Sequence, residues 1–171
     1  MSPHEGAPTD TELVAAAVRL GDRLRAGGWL MTTAESCTGG MVGHIITQVP
    51  GSSDHYAGGI ISYSDAAKTS LLGVDAALLR QAGAVSPQVA DAMATGALAR
   101  FPAAELAVSV TGIAGPDGGS DEKPVGLVFV AAARRGRPAS VTRRVWPHDR
   151  DGNKRASTLL ALELALDSVA G

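Results

Sequence analysis

The stretch WLMTTAESCTGGMVGHII, residues 29–46, changes its pattern halfway. WLMTTAE (29–35) reads as a strand, with bulky and β-branched residues throughout. Gly39 and Gly40 then open a helix, whose buried face uses Val42, Ile45, Ile46 and Val49 at helical spacing. PGSS at 50–53 breaks that helix. The junction, ESCTGG, holds the chain's single cysteine next to a serine, a threonine and two glycines. It is either a reactive segment or a capped bend between a strand and a helix.

The same two periods divide the rest of the chain. Thr9 or Asp10 caps a helix that runs to about Ala26 and stops at Gly27 and Gly28. GGIISYS (58–64) reads as a strand, followed by one short helix from about Asp65 to Leu72 and another over 75–82. Ser86-Pro87 starts a helix, because serine caps and proline fits the first turn. Val89, Ala90, Met93, Ala94, Ala97, Leu98 and Phe101 continue it. LAVSVTG (106–112) is a buried strand that runs into the loop TGIAGPDGGSDEKP. VGLVFVAAARR and ASVTRRVW flank GRP as a hairpin, and a last helix covers about 150–169. The order α, β, α, β, α, α, α, β, β, β, α implies a three-layer α/β/α fold with a mixed sheet. Residues 1–9 read as a flexible tail and 10–171 as one domain, without internal repeats.

Composition narrows the function. The 171 residues carry a formal net charge of −2, so no strong field draws the chain to nucleic acid or an anionic membrane. Two each of Trp, Tyr and Phe make a base-stacking platform improbable. No apolar run reaches the roughly 18 residues that a membrane span needs. MSPHEGAPTD lacks the basic and apolar regions of a signal peptide. One cysteine excludes an internal disulfide and suits a reducing cytoplasm.

Three segments follow the first three predicted strands: ESCTGG, SYSDAAK and TGIAGP. Loops beyond the carboxyl ends of strands are where α/β sheets bind ligands. The N–H groups around Thr38, Gly39 and Gly40 can hold an anion or an oxyanion. A serine attacks only if a base takes its proton. His4, His44, His55 and His148 lie outside the three segments, and none forms a metal-binding pair, so the base candidates are Lys68 and Tyr63. His44 reads as a helix-face residue and His55 as a loop residue. Burial and a helix N-terminus both lower a lysine's pKa, and Lys68 sits on the first turn after its strand. It can equally be a surface lysine. The loop 111–124 has no Walker spacing. Its acids can accept hydrogen bonds from ribose hydroxyls or face a cationic ring.

TAESCTGG, VPGSS, GGIISYSDAAK, LLGV, GAVS, VTGIAGPDGGSDEKPVG and HDR, in that order, resemble the CinA C-terminal domain family. The resemblance implies a metal-free nicotinamide-nucleotide amidase without cofactor, converting nicotinamide mononucleotide and water to nicotinic acid mononucleotide and ammonia. It implies Ser36 as nucleophile, Lys68 as base, and Tyr63 and Thr111 in the same site. Cys37 then becomes a small buried neighbour rather than the attacking thiol. Phosphate donors are sought among the glycine-rich backbone of Gly112 to Gly115, Lys123 and Arg150. The chain departs from the family's Gly-Asp-Arg pattern at HDRDGNKR: His148 replaces glycine, Asn153 an apolar residue and Lys154 an arginine. Arg155 can substitute by shifting one place. The partner expected is a small nucleotide, with a second copy of the chain packed through alanine-rich helix faces as a homodimer. A nucleotide-binding regulatory module linked to competence and DNA damage is the alternative, and a hydrolase for another small amide is the third reading.

Overall fold

The computed structural model describes residues 6–170. Its helices are α1 (Asp10–Gly27), α2 (Met41–Thr47), α3 (Asp65–Leu72), α4 (Ala76–Ala82), α5 (Pro87–Arg100) and α6 (Arg150–Val169). Its strands are β1 (Met31–Glu35), β2 (Tyr56–Ile61), β3 (Leu106–Gly112), β4 (Leu127–Arg134) and β5 (Ser140–Val145), and a 3₁₀ turn spans Ser52–Asp54. The strands form one sheet in the order β2-β1-β3-β4-β5. β1 pairs in parallel with β2 and β3, while β4 pairs antiparallel with β3 and β5. The expected mixed sheet and element order are thus observed.

Alternation along the central strands builds the three layers. Leu106, Val108 and Val110 of β3, with Val128, Val130 and Ala132 of β4, face a core shared with α1, α2 and α6. Ala107, with Leu127, Phe129, Ala131 and Ala133, faces the core of α3, α4 and α5. Small residues bring α5 close to the sheet there. Ala90, Ala94 and Ala97 are fully buried, and the Ser109 hydroxyl donates to the Ala90 carbonyl at 2.6 Å. The alanine-rich faces therefore pack inside the chain, which removes them as the expected basis of a dimer contact.

Local chemistry sets the ends of the elements. Thr9 caps α1 in a reciprocal box with Glu12, and Gly28 closes it in the left-handed conformation. Ser64, Ser86 and Asp149 cap α3, α5 and α6. β2 lies two to three residues earlier than expected, because the carbonyls of Ser62 and Tyr63 leave the ladder to meet a side chain. Of the expected tail, Met1–Glu5, including His4, lie outside the described residues. Arg155 donates to the Pro8 carbonyl and pairs with Asp10, so it anchors the start of α1 instead of replacing a site arginine. His55 lies in the turn before β2, as expected. It is buried against Gly21, and burial followed by the nearby Arg25 charge lowers its pKa. Gly96 is where α5 passes the end of α3: a Cβ there would lie 2.0 Å from the Leu72 carbonyl oxygen.

Candidate active site

The turn after β1, the end of β2 and the end of β3 meet at one cavity of about 270 Å³. Ser36, Cys37, Tyr63, Lys68, Thr111, Gly112, Gly115 and Arg150 line it, together with Ala84, Val85 and Asp117. Eight of those residues belong to the three strand-end segments and to HDR, so the topology brings together what the sequence separates.

Lys68 is 1% exposed. Ser64 caps α3 by accepting from the Ala67 N–H at 3.1 Å, and this starts the helix at Asp65, one turn before Lys68. The side chain then folds back over the end of β2. Its Nζ lies 2.9 Å from the Ser62 carbonyl, 3.0 Å from the Tyr63 carbonyl and 3.1 Å from Ser36 Oγ. Burial lowers its pKa, against smaller opposing effects from Asp65 and Cys37. A neutral amine has two N–H bonds and one lone pair. With both N–H bonds given to the carbonyls, the lone pair is left for the Ser36 hydroxyl proton.

Ser36 itself is fixed from both sides. Its N–H donates to the Val110 carbonyl at 2.9 Å, and its carbonyl accepts from the Gly39 N–H at 3.0 Å. Glu35, fully buried, accepts from the Thr38 hydroxyl and from the N–H groups of Gly40, Val42 and Gly43. The expected oxyanion donors therefore need correction, because the Gly39 and Gly40 N–H groups are already engaged inside the turn. The Cys37 and Thr38 N–H groups donate to no other described residue. Sequence reasoning passed over Glu35. Its signal was an acid at a strand end just before a helix that lacks a capping side chain.

Other candidates hold different posts from those expected. The Tyr63 ring is 62% exposed at the rim, and it is the residue's carbonyl that grips the lysine. The buried Thr111 hydroxyl donates to the Ala84 carbonyl at 2.8 Å, fixing the loop that brings Ala84 and Val85 to the cavity. Gly112 lacks a side chain because a Cβ would meet the Leu127 carbonyl at 2.7 Å. Lys123 is drawn away to the Ala82 carbonyl at 2.7 Å and does not line the cavity. Arg150 does line it. One of its nitrogens is 2.6 Å from the Gly115 carbonyl and another 3.5 Å from the Tyr63 hydroxyl. Asn153 is buried, donating to the Ala114 carbonyl at 3.0 Å and accepting from the His148 N–H at 3.2 Å. Its amide thus ties α6 to the glycine-rich loop. Lys154 lies behind Cys37, outside the cavity lining.

No group of His, Cys, Asp and Glu among the described residues could hold a metal ion. The site is an α/β strand-end cleft with a buried lysine hydrogen-bonded to a serine. A family model for the CinA C-terminal domain matches residues 14–169. The chain is 47% identical over 156 residues to the nicotinamide-nucleotide amidohydrolase PncC of Escherichia coli K12, covering 91% of this chain and 93% of that protein. It is 46% identical over 151 residues to the protein of the same name from Pseudomonas putida, covering 88% and 93%. A solved structure of a competence/damage-inducible protein from Agrobacterium tumefaciens superposes with a TM-score of 0.88 at 39% identity, covering 96% of this chain and 98% of that one. The chain belongs to the CinA C-terminal domain family.

Cys37 lines the cavity too, but burial, reinforced by Glu35 and opposed by its own N–H, pushes its thiol up to about 12 from 9.0. The thiol is therefore protonated at neutral pH and is a poor nucleophile. Iodoacetamide should label Cys37 at least about 100-fold more slowly in the native protein than in denaturant, read by intact mass. Labelling at the rate of a free cysteine would restore the thiol as a candidate nucleophile.

Proposed function

We propose that this chain is a metal-independent amidohydrolase that converts nicotinamide mononucleotide to nicotinic acid mononucleotide and ammonia. Ser36 is its nucleophile and Lys68 its base. The observation that carries the reading is the 3.1 Å contact between Lys68 Nζ and Ser36 Oγ, made by a lysine whose pKa is lowered by burial. The substrate comes from the amidohydrolases that the chain resembles over nearly its whole length.

In this mechanism Lys68 takes the Ser36 proton as Oγ bonds to the amide carbon, and the carbonyl π pair moves onto oxygen. The collapsing intermediate re-forms the carbonyl and breaks the C–N bond. Lys68 returns its proton to the nitrogen, which leaves as ammonia. Water then adds to the ester carbon while Lys68 takes its proton. Ser36 leaves and recovers a proton from Lys68, and the carboxylic acid is released. Arg150, at the rim, keeps N–H donors for the substrate phosphate. Tyr63 and Thr111 shape the pocket, the first through its carbonyl and the second through Ala84. This reading places the enzyme in the cytoplasm, in pyridine nucleotide recycling. No helix among the described residues is long and apolar enough to cross a membrane.

Ammonia release from nicotinamide mononucleotide is the test. Ser36→Ala and Lys68→Ala should each lower kcat/KM by at least about 10³-fold while circular dichroism stays native. In the wild type, kcat/KM should rise with pH as Lys68 loses its proton and level off below 10.5, the ordinary lysine value, since burial lowers the pKa. Near-wild-type turnover by Ser36→Ala would remove the serine. No release by the wild type would favour the nucleotide-binding regulatory module.

We also propose a homodimer. With the alanine faces spent internally, its support is the exposed large apolar side chains on β2 and α3, Ile61 at 54% and Leu71 at 45%. Light scattering at micromolar concentration should give twice the chain mass, and Leu71→Glu should shift it to monomer. A monomer mass for the wild type contradicts the dimer.

A further inference from the structure

Glu35 ends β1 with 2% of its surface exposed, and no cation pairs with it among the described residues. Four donors meet it instead. Oε2 accepts from the Thr38 hydroxyl at 2.7 Å, the Gly40 N–H at 3.0 Å and the Val42 N–H at 3.1 Å, and Oε1 accepts from the Gly43 N–H at 2.9 Å. Hydrogen bonds to an ionised carboxylate are shorter and stronger than neutral ones. Gly40 begins α2 at φ 99° without a side-chain cap, so the first-turn N–H groups need an outside acceptor. The preceding strand supplies it.

The consequence reaches the nucleophile. The Glu35 backbone is held in the sheet between β2 and β3, and its carboxylate holds positions 38, 40, 42 and 43. Ser36 and Cys37 are strung between these two anchors. With the Ser36 N–H on Val110 and the Gly39 N–H on Ser36, the donors beside Ser36 that no other described residue accepts from are the N–H groups of Cys37 and Thr38. Gly43 leaves room for the Tyr56 hydroxyl, from which a Cβ there would lie 2.6 Å.

We infer that Glu35 is a positioning residue for the reaction: its carboxylate holds the turn so that the Cys37 and Thr38 N–H groups face the oxyanion formed when Ser36 attacks. The inference rests on the Ser36–Lys68 pair proposed above. Glu35 touches neither the amine of Lys68 nor the cavity, and its charge does not figure among the influences on Lys68. Loss of its charge should therefore weaken oxyanion stabilisation without moving the titration of the base.

The test uses an aryl fluorophosphonate, which labels an activated serine through an oxyanion-like transition state and needs no amide substrate. Labelling of Ser36 is followed by intact mass between pH 6 and 10. In Glu35→Gln, whose amide turns an NH₂ toward the backbone donors, the second-order rate constant should fall roughly 100- to 1000-fold, the range for a lost oxyanion donor. The pH midpoint of labelling should stay at its wild-type value. Thr38→Val removes one of the four donors without changing side-chain shape, so it stays informative if Glu35→Gln does not fold. It should slow labelling about 3- to 10-fold, again with an unmoved midpoint. Glu35→Gln labelled within about threefold of the wild type, or Thr38→Val unchanged where Glu35→Gln does not fold, overturns the inference. So does a midpoint that moves along with the rate, which indicates general loosening of the site. A wild type not labelled at Ser36 removes the dyad and this role together, whereas unaltered labelling of Glu35→Gln removes this role alone.

Discussion

A lysine amine cut off from water must either find acceptors for its charge or give the charge up. Lys68 is placed where both options are close. Two main-chain carbonyls accept from it, a serine hydroxyl completes the set, and burial tilts the balance toward the neutral form. The rest of the site follows from this. The chain leaves β2 early so that the Ser62 and Tyr63 carbonyls are free of the ladder, and Ser64 starts α3 soon enough to bring Lys68 back over them. The parallel pairing of β1 with β2 and β3 then puts Ser36 within reach of a residue 32 positions later and backs it with Val110.

The packing that holds α3 in place comes from small residues. Gly96 allows α5 to pass the Leu72 carbonyl, and the buried alanines of α5 seat it against β3 and β4. Hydroxyls of β3 replace apolar contacts where the site begins. Ser109 fixes α5 through Ala90, and Thr111 fixes the loop before α5 through Ala84. Asn153 makes the equivalent tie on the other side, between α6 and the glycine-rich loop. The cavity is thus bordered by backbone held through buried side chains, an arrangement that keeps catalytic geometry rigid.

Much of this was legible in the sequence. The change of period inside WLMTTAESCTGGMVGHII gave the strand, turn and helix, and LAVSVTG at 106–112 gave a buried strand. The absence of histidine from the strand-end segments left Lys68 and Tyr63 as base candidates, and the family resemblance pointed to Ser36 and Lys68. What stayed hidden depends on three-dimensional accounting of backbone groups. Gly39 and Gly40 looked like open donors, yet their N–H groups are spent on Ser36 and Glu35. Lys123 looked like a phosphate ligand, but the Ala82 carbonyl captures it. Tyr63 contributes its carbonyl where its phenol was expected, and no residue-type pattern distinguishes the two. His55 sits in a loop as read, but its burial was hidden, because the space that α1 leaves at Gly21 cannot be read from the sequence around position 55.

The central claim is that Lys68 is uncharged when it faces Ser36. The chain has only three lysines, Lys68, Lys123 and Lys154, so each can be followed separately. The direct measurement is a pH titration of ¹³Cε-labelled lysine by NMR, with Lys68→Arg identifying its resonance. The account predicts one lysine that titrates well below the other two and is assigned to Lys68. A Lys68 resonance that titrates alongside Lys123 and Lys154 would contradict it.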